Sequence, residues 1–307
     1  MADTKTGYPT RTSDLTLSEG KKPPRFIHSF AHFFVTMPSM IIDGRALAAE
    51  IYADLKATVA KRVSAPHLTI FTCAPQPATQ QYLALKKRKA TEIGVAVNVI
   101  EFPSDITTKE IVQTIEQAQM QTDGLVVQLP LPPHIDTPTV LNAIPVRYDV
   151  DGMHYDGTKV TSVAPVAAAI AHIAAAHDVL FATQQVVVVG NGRLVGAPVA
   201  LWAQRQGAHV TVIDKATDEI EAQSVIAHAD ILILGVGQPG MVTPDMIKPG
   251  VLIFDAGAAE QGGEILGDAD PACAAKASLV TPVPGGIGPL TIALLLRNLI
   301  ELTTRQE

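Results

Sequence analysis

The sequence predicts an α/β protein of two domains, each a largely parallel sheet wrapped by helices, with the last helix returning to the first domain. Three observations carry this expectation. A chain of 307 residues, 47% of them hydrophobic, is long enough to bury two cores. Short β-rich runs alternate with helical stretches in two successive sets, the pattern of strands joined by crossover helices. The runs of the second set are apolar on both faces, as strands buried in a parallel sheet are.

The alternation starts only at Met40. Residues 1–39 are polar at first, then basic in Lys21-Lys22-Pro23-Pro24-Arg25, then briefly apolar around His28 and His32. A basic run before an apolar one has the outline of a signal peptide, but the long polar lead with Asp14 and Glu19 fits that poorly. We expect a disordered extension, or a start placed upstream of Met40. From Asp43, the residues Leu47, Ile51, Leu55 and Val59 recur at helical spacing, and Pro66 ends the stretch. Residues 67–73 read as a strand, 79–93 as a charged helix stopped by Gly94, and 95–102 as a second strand. Residues 107–120 form an amphipathic helix opened by the capping box Thr107 and Glu110. Residues 124–129 are a buried strand.

After the turn Asp149-Val150-Asp151-Gly152, the alanine-rich residues 165–176 make a linking helix, with Pro165 suited to its first turn. Four strands follow at 186–189, 209–213, 231–234 and 251–254. A long helix over about 289–303 closes the chain, and its apolar side suits packing on the first domain.

Composition narrows the partners. A formal net charge of −7 argues against a surface that neutralises nucleic-acid phosphates. The two cysteines, Cys73 and Cys273, lack the paired spacing of a zinc or redox motif, so we expect no metal and a reducing, cytoplasmic setting. No apolar run reaches the roughly 20 residues that cross a bilayer, so no membrane is expected.

The segment Gly190-Asn191-Gly192-Arg193-Leu194-Val195-Gly196 directly follows the 186–189 strand and opens a helix. Glycines in that context make a tight turn, let backbone N–H groups approach a pyrophosphate, and let helix and strand pack closely. With Asp214 at the end of the next strand, this reads as a Rossmann-type dinucleotide site formed by Gly190, Asn191, Gly192, Arg193, Gly196, Asp214 and Lys215. A carboxylate there accepts hydrogen bonds from the adenosine ribose of NAD and repels the 2′-phosphate of NADP. Arg193 and Lys215 suit a phosphate instead. The cofactor is NAD or NADP, with NAD favoured.

Four further pieces stand out. Tyr82 and Lys86 share one helical face. Gln128 ends a buried strand in Val127-Gln128-Leu129-Pro130-Leu131-Pro132, and Asp151 sits in the turn before the linking helix. Thr281-Pro282-Val283-Pro284-Gly285-Gly286-Ile287-Gly288-Pro289-Leu290-Thr291 makes a rigid, glycine-bearing loop, where we expect a cis peptide at Pro284. Each piece alone also has an ordinary structural reading; Lys86, for instance, belongs to the run Lys86-Lys87-Arg88-Lys89, and such runs are usually solvated.

In this order and at these separations, the pieces closely resemble the bifunctional methylenetetrahydrofolate dehydrogenase/cyclohydrolase family. The likeness runs from Ile41-Ile42-Asp43-Gly44 to the final helix. It implies a folate-binding catalytic domain of residues 40–160 with 289–307, and a dinucleotide-binding domain of residues 161–288. It implies oxidation of 5,10-methylenetetrahydrofolate and hydrolysis of the methenyl product to 10-formyltetrahydrofolate, in a homodimer. By position, Lys86 is the implied general acid/base, Gln128 its hydrogen-bond partner, Tyr82 a stacking surface and Asp151 the acceptor for the pterin's N–H groups. Thr79, where the family has Ser, and Pro284, Gly285 and Gly286 complete the implied substrate site.

Two departures bear on function. Ser162-Val163-Ala164-Pro165-Val166-Ala167 replaces the family's Pro-Cys-Thr-Pro-Arg/Lys-Gly, and Asn191-Gly192 replaces an Arg-Ser. The second removes a guanidinium that would pair with a 2′-phosphate. Two rivals stay open: a dehydrogenase without the hydrolase step, and a non-catalytic folate or nucleotide sensor.

Overall fold

The first helix starts where Asp43 caps it. In a computed structural model, which describes residues 39–158 and 160–306, the Asp43 carboxylate accepts from Arg45 N and Ala46 N at 3.0 Å, and α1 runs Gly44–Val59. The expectation of an extension concerns residues that, Ser39 apart, lie outside those described.

Ahead of α1, Met40–Ile41 forms β1. The first sheet has three parallel strands, with β2 (His67–Cys73) between β3 (Ala96–Phe102) and β4 (Gly124–Val127). Helix α2 (Pro77–Glu92) joins β2 to β3 and begins two residues before the expected start, with Pro77 in its first turn. Helix α3 (Thr108–Ala118) carries the capping box as read: Thr107 and Glu110 bond reciprocally, and a short 3₁₀ turn follows over Gln119–Gln121. The β4 ladder stops before residue 129. Gln128 N still donates to Phe71 O at 2.8 Å, but Pro130 has no N–H to continue it. A short helix absent from the sequence reading, α4 (Thr137–Asn142), precedes the Asp149 turn.

The linking helix α5 (Pro165–Ala176) leads into the second sheet. Its remaining elements are β5 (Gln185–Val189), α6 (Gly196–Arg205), β6 (His209–Ile213), α7 (Glu219–His228), β7 (Ile231–Leu234), β8 (Leu252–Asp255), the hairpin β9 (Ala259–Gln261) and β10 (Glu264–Leu266), and β11 (Leu279–Val280). The sheet order is β1-β11-β8-β7-β5-β6, and every pairing is parallel. The first strand of the chain thus completes the second sheet, Met40 pairing with Leu279.

The final helix α8 (Ile287–Gln306) packs on α1, α2 and α5. Its stretch Ile287–Thr304 is apolar enough to cross a membrane by composition, yet 67% of it is buried inside the fold, which marks a core helix. Asn298 on this helix donates from Nδ2 to both Val150 O and Val163 O at 2.9 Å, clasping the two ends of the interdomain turn. One apolar cluster runs from Leu68 and Ile70 through α1, α5 and α8 to Val186, Val188, Ile231 and Ile233, so the two sheets share a core. The opposite sheet faces bury separate clusters, around Phe71 and Ile111 in one and Val187 and Leu232 in the other.

Candidate active site

Helix α2 carries Tyr82 and Lys86 one turn apart, on the face toward β4 and α8. Although Lys86 opens a run of four cations, it is only 3% exposed, while Lys87 and Arg88 face solvent. Its Nζ donates to Gln128 Oε1 at 3.3 Å and lies 5.3 Å from the Tyr82 ring centre. Gln128 is oriented in turn by its Nε2, which donates to Leu129 O at 3.0 Å. Burial lowers the Lys86 pKa, and the nearby Asp151 carboxylate partly opposes this. Burial raises the Asp151 pKa; the Lys86 ammonium works against that rise and Asp149 adds to it.

The Asp151 turn is built by its neighbour. Asp149 is 1% exposed, and its Oδ2 accepts from His154 N at 2.8 Å and faces His154 Nδ1 at 3.1 Å. These bonds brace the loop that carries Asp151, whose carboxylate lines the same cavity as Lys86 and interacts with it electrostatically.

Tyr82, Lys86, Gln128 and Asp151 line one cavity of about 270 Å³. Its other walls are Pro165 and Val166 from the start of α5, Leu194 and Val195 from the glycine loop, Ala256 after β8, and Thr291 on α8. A second cavity of about 720 Å³ adjoins it at Tyr82, Ala256 and Gly288, with Arg45, Arg88, Lys89, Pro284 and Gly285 among its walls. Thr79 and Gly286 line neither. Gly286 instead packs under α1: a Cβ on Gly44 would lie 1.7 Å from its carbonyl oxygen, so the loop docks there only because Gly44 has no side chain. The Val283–Pro284 peptide is cis, as expected, and so is Leu129–Pro130.

The glycine loop follows β5 directly, Gly190 N donating to Ile213 O at 2.7 Å. A Cβ on Gly196 would lie 1.8 Å from Gly190 O, so the turn closes this tightly only with glycine. No side chain caps α6, which suits an anion at this helix start. Asp214 and Lys215 are exposed at the end of β6, next to β5. Asp214 Oδ1 accepts from Ala216 N at 2.9 Å. The tight glycine turn and the uncapped start of α6 are a place that the pyrophosphate of a dinucleotide would fit.

Val166, Val195 and Thr291 lie in segments that the sequence singles out, but it gives them no individual role and does not point to Ala256; the Thr291 hydroxyl meets Tyr82 OH at 3.0 Å. Apolar residues carry no local signal that separates a cavity wall from core.

Residues 42–151 match the family model of the tetrahydrofolate dehydrogenase/cyclohydrolase catalytic domain, and residues 164–307 match that of its NAD(P)-binding domain. The chain belongs to the tetrahydrofolate dehydrogenase/cyclohydrolase family. The bifunctional protein FolD of an Exiguobacterium species is 37% identical over 279 residues, 87% of this chain and 99% of that protein. Among solved structures, the bifunctional FolD dehydrogenase/cyclohydrolase of Campylobacter jejuni superimposes with a TM-score of 0.83 at 29% identity, over 88% of this chain and 100% of that one. The Trypanosoma brucei methylenetetrahydrofolate dehydrogenase-cyclohydrolase, solved with NADP and an inhibitor, gives 0.82 at 29% identity, over 88% of this chain and 99% of that one. In the segment 162–167, Ser162 is buried, Val163 O accepts from Asn298, and Pro165 and Val166 line the cavity.

Proposed function

We propose that the chain oxidises 5,10-methylenetetrahydrofolate to the methenyl form and hydrolyses that product to 10-formyltetrahydrofolate. One observation carries the reading: the buried Lys86 amine, held by Gln128, lines a cavity that Leu194 and Val195 of the glycine loop also line. A proton-transfer group and a dinucleotide cradle thus address the same small volume. When bound, the nicotinamide supplies the hydride acceptor.

Tyr82 offers a ring face beside which an aromatic substrate stacks, and Asp151 offers a carboxylate to the donor edge of a pterin. For the hydrolysis, water adds to the methenyl carbon and the bond from that carbon to N5 breaks. Lys86 takes a proton from the added water and returns one to N5, with one proton released overall. An amine does this near neutrality only if its pKa is lowered, the direction that burial imposes here. Orientation within the closed cavity supplies much of the remainder.

Finer features belong to the same reading. Asp214 and the absence of an arginine at Asn191 favour NAD over NADP, although Arg193 and Lys215 stand close. The folate domain is residues 40–160 with 289–307 and the dinucleotide domain residues 161–288, except that Met40 and Ile41 pair with the sheet of the second. A homodimer in the cytoplasm completes it, in keeping with two free, buried cysteines.

The test is to follow NAD and NADP reduction with methylenetetrahydrofolate, alongside methenyl hydrolysis, in wild type and Lys86→Met. Turnover in both assays and loss of hydrolysis in the variant are expected. Tight binding of folate and dinucleotide without turnover would overturn the reading in favour of a sensor.

A further inference from the structure

Behind the glycine loop lies a carboxylate that the reaction does not use. Asp268 is 0% exposed and lines neither cavity. Its Oδ2 accepts from Val236 N at 2.7 Å and Gly237 N at 3.2 Å, and its Oδ1 from Gln238 N at 2.6 Å. Three consecutive amides converge on one side chain, and only an acceptor with two oxygens and several lone pairs can meet them all. The negative charge shortens and strengthens these bonds.

The loop held in this way follows β7 and bears directly on the dinucleotide turn. A Cβ built on Gly235 would fall 2.3 Å from Val195 Cγ1, so its backbone presses on the far end of that turn. At the near end, a Cβ on Gly190 would lie 3.0 Å from Gly235 O and 3.2 Å from Val236 Cγ2. Gly235 and Val236, at the start of this loop, therefore abut Gly190 and Val195. The fit around Asp268 is equally close, since a Cβ on Gly257 would lie 2.1 Å from its carboxyl carbon. The carboxylate thus has little freedom to follow if the loop moves.

We propose that Asp268 is a positioning residue for the dinucleotide: it pins residues 235–238 against Gly190 and Val195 and so sets the width of the groove that receives the nicotinamide cofactor. This rests on reading the Gly190–Gly196 turn as the cofactor cradle. Asp268 touches no reacting group and acts through the loop alone.

Asp268→Asn replaces one acceptor oxygen by an amide that opposes the inward-pointing N–H groups. NADH and NADPH binding, followed by fluorescence titration, should weaken about tenfold, the loss of one charge-assisted bond. The KM for the dinucleotide should rise in parallel. Methenyl hydrolysis needs no dinucleotide and serves as the internal reference, staying within about twofold of wild type for a defect confined to the groove. Unchanged dinucleotide affinity overturns the proposal, and so does an equal loss in both activities, which would make Asp268 a general support of the fold. Should Asp268→Asn not fold, Val236→Ala removes the side chain that meets Gly190, lies outside the cavity of Lys86, and is expected to give the same split. Gly196→Val separates the two levels of the reading. If it leaves dinucleotide affinity intact, the cradle itself is misassigned; if it abolishes binding while Asp268→Asn does not, only the role of Asp268 fails.

Discussion

Tyr82 on α2 and Thr291 on α8 are joined by a hydrogen bond of 3.0 Å between their hydroxyls. Thr291 Oγ1 donates to Gly288 O at 2.7 Å, so its one proton is committed and Tyr82 must be the donor. The last helix therefore orients the ring that faces the cavity.

Thr291→Val removes the acceptor and keeps the shape. Burial raises the Tyr82 pKa, so its hydroxyl lies largely away from water, and leaving it without this acceptor should cost about 1–3 kcal/mol of stability. The KM for methylenetetrahydrofolate should rise roughly three- to tenfold, because the ring loses its fixed orientation. Steady-state kinetics check this, and an unchanged KM would show that the bond does not position the ring.

Lys86→Met should lower methenyl hydrolysis by about 10²- to 10⁴-fold, the usual range for a general acid/base. Lys86→Arg should not restore it, since a guanidinium does not release a proton in the accessible range. Circular dichroism would verify that both variants remain folded.

Gln128→Glu would place a second carboxylate on the amine and raise the Lys86 pKa, opposing the lowering by burial. The neutral amine is the base, so the rising limb of the hydrolysis pH–rate profile should move to higher pH. A shift to lower pH would contradict the assigned role.

Asp214→Ser removes the carboxylate that would repel a 2′-phosphate. The NADP-to-NAD ratio of kcat/KM should rise on the order of tenfold. Parallel rate measurements with the two cofactors test this, and a wild type that already strongly prefers NADP would overturn the reading of the loop.

Asp255, 3% exposed, has its pKa pushed up to about 6 from 3.8, chiefly by burial and further by Asp268, against the pull of N–H donors from Ala269 and Gly257. The folded state therefore holds this proton more tightly than the unfolded chain does. Stability from this group is greatest below about pH 4 and is lost as pH rises through about 6. Between pH 5 and 7.5, wild type should lose about 1 kcal/mol relative to Asp255→Asn. Urea melts at the two pH values give the difference, and a constant gap would refute it.

Much of the fold was legible before any coordinates. The bounds of β2, β6 and β7, and the capping box at Thr107 and Glu110, are as read. Other elements were not legible. Strands β1 and β11 have two residues each, too few to show a period, and α4 is six residues long. Lys86 was harder still, because its own neighbours in sequence argue for solvent.

The sequence by itself determined the alternation of elements, the helix starts at Asp43 and Thr107, and the glycine turn after β5. Those depend on side-chain periodicity, caps and backbone sterics within a few residues, so local order is enough to reveal them. Only the tertiary structure decided that Met40 joins the second sheet, that Lys86 is buried against Gln128, and that Asp268 gathers three amides from a distant loop. These pairings come from packing between segments far apart in the chain, where the free energy of burial and the geometry of the whole core select the partner.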